Sequence, residues 1–365
     1  MNELTQQDIE HITLGAAVLG TGGGGDPYIG KLMAKHAIEK HGPVQVITMD
    51  DLDDEDLVVP ISMIGAPSVM AEKIPAINGA KTALEAIEKA LNKKATAVMP
   101  IEIGGVNSLI PILVAAKKGI PILDADAMGR AFPEAQMVTF HLDGLKPEIV
   151  SMSDERENTI IFHPINGEWS EKLARAITIQ MGGSATMCDY ALPGKTVKKS
   201  AIPKTLSLAA EIGKILSKQY AEEGAAVKQM LERLNGYHLI TGKITHIERK
   251  IQGGFTKGHL HIEGIDEYTN KNIELYFQNE QLLATENDKP LAITPDLIAI
   301  LDKETGHPIT TEALKYGERV IVVAFPCHEK WRTKEGIKTA GPKYFGYDAI
   351  YQPIEELQQN GVDHT

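Results

Sequence analysis

Two textures divide this chain, and they limit its fold more than any other feature. Up to about residue 220, short apolar runs alternate with amphipathic stretches. Val44–Thr48 and Leu57–Met63 read as strands, and residues 76–91 as a helix with Ala, Leu and Ile three and four apart. Ala97–Ile101 reads as a strand, Ser108–Lys118 as a helix and residues 121–124 as a buried strand. Strand, helix, strand implies right-handed crossovers between parallel neighbours. Residues 1–236 are therefore expected to form an α/β domain with a mostly parallel sheet, with further helices over Glu171–Gln180 and Leu206–Arg233, the latter broken near Gly224. After Tyr237 the period drops to two. His238–Glu248, Gly258–Glu263, Asn272–Phe277 and Arg319–Ala324 are short β runs separated by Gly, Asn and Asp. They predict a smaller β-rich domain over residues 237–350, followed by a C-terminal tail, 351–365.

At 365 residues the chain is long enough for two domains. A hydrophobic content of 43% with 24% charged residues is that of an ordinary globular protein. The net charge of −12 argues against nucleic acid as a partner, because phosphate binding needs clustered Lys and Arg, and Lys93-Lys94 and Lys198-Lys199 are only pairs. No apolar run has the length of a membrane span, and the N-terminus lacks the basic-then-apolar order of a secretory signal. A cytoplasmic protein without a membrane partner is expected. Cys188 and Cys327 lie far apart without a Cys-x-x-Cys pattern, so reduced thiols are expected, with Cys188 buried and inert rather than catalytic.

Gly20-Thr-Gly-Gly-Gly-Gly-Asp-Pro27 follows the apolar run Leu14–Leu19. Such a run loses much backbone entropy on folding, and close approach of bare backbone to a ligand is the usual compensation; a plain connecting loop is the bland alternative. A P-loop is excluded, since Asp26 follows the glycines and the first lysine comes only at Lys31. The dinucleotide spacing Gly-x-Gly-x-x-Gly is met almost by default. Thr5–Glu10 upstream reads as the opening of an amphipathic helix and not as the strand a Rossmann unit needs.

Carboxylates cluster at two strand ends, where α/β sheets collect their ligands. One is Glu102, followed by Ile-Gly-Gly-Val-Asn107-Ser108. The other is the pair Asp124 and Asp126, followed by Arg130 and, further on, His141. Two carboxylates so close raise one carboxyl pKa, or recruit a divalent cation or Arg130. Capping is the alternative for each, with Asp126 as an N-cap partnered by Arg130, and Asn107 or Ser108 capping the following helix. If their strands are neighbours, Glu102, Asp124 and Asp126 are expected to meet. His259-Leu-His261 puts two imidazoles on one face of a predicted strand; without an evident third ligand it reads as an exposed β face rather than a zinc site.

Leu19–Pro27, Ile101–Ser108, Asp124–Glu134, Met181–Ala185, Tyr276–Glu280 and Phe345–Asp348 together resemble the S-methyl thiohydantoin desulfurase family, whose members are associated with hydantoinase and oxoprolinase subunits. The resemblance covers nearly the whole chain. It implies an α/β N-terminal domain with a β-rich C-terminal one, a small heterocyclic substrate and a hydantoinase-like subunit as a partner; self-association into a homo-oligomer is a separate expectation. Removing sulfur from such a ring is a hydrolytic substitution that needs activated water and donors that polarise the ring. On this reading Glu102, Asp124 or Asp126 activates water, directly or through a divalent metal held by Asp124, Asp126 and His141. The amides of Gly22, Gly23, Gly24 and Gly25 and the side chains of Asn107 and Arg130 hold the ring. Two rival readings are an accessory subunit of a hydantoinase-like ATP-dependent amidohydrolase and a nucleotide-dependent oxidoreductase.

Overall fold

The computed structural model describes residues 1–65, 69, 73, 78–218 and 224–359. Residues 76 and 77 of the first expected helix and 219–223 of the broken one lie outside them. The N-terminal strands are β1 Glu3–Leu4, β2 Val44–Ile47, β3 Leu57–Gly65, β4 Ala97–Pro100, β5 Ile122–Leu123, β6 Ala125–Asp126, β7 Val150–Ser153, β8 Thr159–Phe162, β9 Ser184–Cys188, β10 Leu192–Pro193 and β11 Ile202–Pro203. The main sheet runs β1-β2-β5-β4-β3-β9-β7-β8, with β10 paired to β3 and the short pair β11-β6 apart from it.

The sheet is mixed, which corrects the expectation of a mostly parallel one. Among the described residues only β2-β5, β5-β4 and β4-β3 pair in parallel. They are the strands the sequence pattern picks out, joined by crossovers through helices Gly79–Leu91 and Ile110–Lys118. The other half is antiparallel: β9 returns beside β3, and β7-β8 is a hairpin added at β9. Strand β9 follows the expected helix, here Gly167–Gln180, so the N-terminal sheet is completed by a segment from late in the chain.

Tyr237–Gln252 (β12), Phe255–Gly264 (β13), Asn272–Gln278 (β14), Glu280–Glu286 (β15), Lys289–Ile293 (β16), Leu297–Asp302 (β17) and Arg319–Phe325 (β18) form a seven-stranded sheet in the order β16-β15-β14-β13-β12-β18-β17, antiparallel throughout. β17 and β18 are buried on both faces. Leu297, Ala299, Leu301, Ile321, Val323 and Phe325 join the core of the N-terminal half, whereas Ile298, Ile300, Val320, Val322 and Ala324 pack inside the C-terminal sheet. One apolar cluster thus runs from the N-terminal sheet across the boundary into the C-terminal one.

Thr5 opens the first helix, Gln6–Leu19, through a reciprocal capping box with Asp8. This helix crosses Thr205–Leu216 at close range: a Cβ on Gly213 would stand 1.8 Å from the His11 carbonyl oxygen, and one on Gly15 1.9 Å from that of Ala209. The C-terminal stretch is docked as far as it is described. The Ile354 side chain is buried, and its amide donates to Asp296, which also accepts from the Cys327 amide, Arg332 and the Tyr351 hydroxyl.

Candidate active site

The glycine run lies between two helices. Gly20 closes the first, and Asp26 caps the second, Pro27–His41, by accepting from the Tyr28 amide. A helix and not a strand leads directly into it, as the polar Thr5–Glu10 segment indicates. Thr21, Gly22, Gly24 and Gly25 all have positive φ. The bent loop is sewn to the C-terminal domain by backbone: the Gln281 amide donates to the Thr21 carbonyl at 2.7 Å and the Thr311 amide to that of Gly22 at 2.8 Å. Behind it the Val106 amide donates to the Gly24 carbonyl. Glycine is required here for close approach, because a Cβ on Gly24 would meet the Gly104 carbonyl oxygen at 2.7 Å and one on Gly23 the Glu280 carboxylate at 1.9 Å.

The anion that meets this loop belongs to the protein itself. Glu280 Oε1 accepts from the Gly24 amide at 3.1 Å. Glu280 enters from the β14-β15 turn, where Asn279 takes the left-handed conformation (φ 58°) and exchanges hydrogen bonds with Thr256, accepting from its amide through Oδ1 and donating its own amide to its carbonyl. The glycines thus form one wall of a cleft at the domain boundary, with about 660 Å³ of empty space including its mouth. Gly24 and Gly25 line this cleft; Gly22 and Gly23 pack behind it. The carboxyl end of β3 (Ser62–Gly65), Glu102 and Asn107 after β4, Asp189 after β9 and Glu280 line it too, with Glu134, Glu171 and Arg175 as further charged groups.

Among the described residues, three of these carboxyl groups are buried with oxygens that make no well-formed hydrogen bond: Glu102 Oε2, Glu280 Oε2 and both oxygens of Asp189, although the Phe132 amide lies near Glu102 and the Asp189 amide near its own carboxylate. Glu102 Oε1 accepts from Asn107 Nδ2 at 2.5 Å, and Asn107 is clamped to β3 by accepting from the Met63 amide at 2.6 Å and donating to its carbonyl. Burial pushes the Glu102 carboxyl up to about 8, against the lowering pull of the Asn107 bond. Burial raises Asp189 to about 7. Glu280 is raised well above the ordinary carboxylate range by burial and by the nearby Glu102. At the rim, Arg175 pairs with Glu171 at 2.6 Å and lies over the Phe255 ring.

The other expected site residues go elsewhere. Asp124 accepts from the Ser207 amide at 3.0 Å and its hydroxyl at 2.5 Å, anchoring the start of helix Thr205–Leu216. Asp126 accepts from the amides of Ile103, Met128 and Gly129. Burial raises it to about 7, but its oxygens serve to hold the Glu102 loop from beneath. β4 and β5 are neighbours as expected, and Asp126 comes near enough to Glu102 to help raise its carboxyl, but Asp124 is drawn away to Ser207 on the following helix. Arg130 is fully buried; it donates to the carbonyls of Ala131, Pro295 and Asp296 and to the Thr21 hydroxyl, and does not partner Asp126. It staples the two domains and does not line the cleft.

His141 stands apart, beside Gly167, with Glu168, Glu335 and Lys338 as its charged surroundings. Asp124, Asp126 and His141 therefore do not converge as metal ligands; among the described residues the group whose ligand atoms do converge is His246, Glu248 and His259. Cys188 and Cys327 are buried, and burial pushes both thiols up, as expected of inert cysteines.

Two cleft carboxyls escape a reading by strand ends alone. Glu280 belongs to the Tyr276–Glu280 segment that carries part of the resemblance, but its chemistry becomes visible only when the turn meets the glycines. Asp189 follows the apolar Ser184–Cys188 stretch, and a carboxylate directly after a buried strand was the available signal.

Comparison with known proteins agrees with this architecture. No curated protein matches the chain. The crystal structure of a protein from Chromobacterium violaceum superposes with a TM-score of 0.81 at 23% identity, covering 97% of this chain and all of the other, which shows a shared fold. Residues 7–164 match the S-Me-THD-like N-terminal domain and residues 165–354 the S-Me-THD-like C-terminal domain. With both halves matched in order, the chain belongs to the S-Me-THD-like family.

Proposed function

We propose that this protein hydrolyses the carbon–sulfur bond of a thiohydantoin-like ring, and that the boundary cleft is where it does so. The observation that carries this reading is that Glu102, Asp189 and Glu280, from three separate elements, line one cleft with free buried oxygens, Glu280 close enough to Glu102 to be raised by it. Their environments spread their proton affinities. Asp189, raised by burial to about 7 with no acidic neighbour among the described residues pushing it, suits a general base, whereas Glu102, raised by burial and by Asp126, and Glu280, raised by burial and by Glu102, suit acids.

For an S-methyl ring the steps balance as follows. Asp189 takes a proton from water as its oxygen bonds to the ring carbon that bears sulfur, and Glu280 protonates the adjacent ring nitrogen. Collapse of the tetrahedral intermediate to a carbonyl breaks the C–S bond, and Glu102 protonates the departing sulfur. The intermediate's hydroxyl proton and the one held by Asp189 return to Glu102 and Glu280. The two hydrogens of water end on nitrogen and on the thiol. Asp124 and Asp126, spent on Ser207 and on backbone amides, have no part in this scheme, and it needs no step through a metal.

Thiol release from an S-methyl thiohydantoin and hydantoin panel tests the reading. Asp189→Asn and Glu102→Gln are each expected to lower kcat by about 10²–10⁴-fold, while Asp124→Asn keeps turnover. Full turnover in Asp189→Asn and Glu102→Gln would remove the cleft from the chemistry. The dinucleotide reading is disfavoured by the helix that precedes the glycines and by the Gly24 amide already given to Glu280.

A further inference from the structure

On the outer face of the C-terminal sheet, away from the cleft carboxyls, we infer a second site: His246, Glu248 and His259 bind a divalent transition metal of the zinc class. Glu248 and His259 are directly opposite each other in the β12-β13 ladder, and His246, two residues before Glu248, shares their face. One ligand atom from each lies within 4.8 Å of the other two. Small rotamer changes bring such a set to bonding distance, since ligands about 2.0–2.2 Å from a tetrahedral zinc stand over 3 Å apart.

The ladder shifts register between Ile244 and His246, and Thr245 is left out of the pairing. The displaced Thr245 meets His261, its hydroxyl 2.8 Å from Nδ1, so His261 is taken up there while the His246 ring lies 5.4 Å from that of His259. The Tyr276 ring, from the neighbouring strand, stacks on His259 at 5.9 Å and limits its rotation. Two imidazoles and a carboxylate are a donor set that zinc favours over magnesium or calcium, which prefer oxygen. His246 and Glu248 are exposed, so water completes the coordination. A metal here ties β12 to β13 within the hairpin whose tip, Gly254 and Phe255, lies against Arg175 at the cleft rim.

The test uses untagged full-length protein, stripped with chelator and titrated with Zn²⁺ by calorimetry. One equivalent is expected to bind, with affinity lowered about tenfold or more by His246→Ala and by His259→Ala, and unchanged by His141→Ala. Co²⁺ is expected to give visible absorption that the two histidine variants lose. Amide exchange over residues 246–260 is expected to slow when zinc is added. No saturable uptake below about 100 µM free zinc, or uptake that persists in a His246→Ala/His259→Ala double variant, overturns the site.

Discussion

Among the buried carboxyls, hydrogen-bond partners separate a residue spent on backbone from one that keeps an oxygen free. Asp126 and Glu102 are both buried and both raised, but three backbone amides occupy Asp126 while Glu102 keeps one oxygen free. The raised groups also set a stability profile. Glu102 moves from an ordinary 4.5 to about 8 on folding, so between those values the folded state holds a proton that the unfolded chain releases. Stability then falls as pH rises from about 4.5 toward 8 and levels above it, the reverse of a salt-bridged acid. Glu102→Gln removes this penalty. Thermal melts are expected to show the variant gaining stability over wild type at pH 8 and little at pH 5; an equal difference at both values would mean that Glu102 ionises normally.

At the scale of the element, the glycine run is a seam. Two of its carbonyls accept amides from the C-terminal domain, and one of its amides holds the Glu280 carboxylate. Gly23 is its tightest point toward chemistry, because an added Cβ meets Glu280 Oε1 at 1.9 Å and its Cδ at 2.4 Å. Gly23→Ala is expected to destabilise by about 1–3 kcal/mol, as overpacked sites do, and to lower kcat by displacing Glu280. Denaturant unfolding and thiol-release kinetics measure the two effects separately. A variant as stable and active as wild type would show that the loop moves aside freely. Asn107 makes the same kind of link on the other wall, tying the end of β3 to Glu102.

For the whole molecule, the two family domains are not two independent folding units. β9, beyond residue 164, stands between β3 and β7, and the largest apolar cluster continues into β17 and β18. Arg130 and Trp331 add polar stitches, the indole donating to the Met128 carbonyl at 2.7 Å. The full chain is expected to unfold in one cooperative transition, and a fragment of residues 1–164 to lack a stable fold, since its sheet would expose β3 and β7 as open edges. Calorimetry of the chain and circular dichroism of the fragment check this; a fragment that melts cooperatively by itself would refute it. Local pattern made much of the architecture readable. The parallel strands, the helices around them and the period-two strands after Tyr237 each announce themselves through the spacing of apolar residues. β15, β16 and β17 did not; in β15 and β17 burial of both faces leaves no alternation to read. In the site, Glu102, Asn107 and Gly24–Gly25 were legible as a strand end and a glycine run. The divergence of Asp124 from Asp126, and the entry of Asp189 and Glu280, were not. Sequence by itself determined which groups emerge at strand ends and where bare backbone is available, since those are matters of local periodicity and steric freedom. Which carboxylates are satisfied by backbone amides and which stay free in the cleft was decided only by tertiary structure, because burial and hydrogen-bond partners come from segments far apart in the chain.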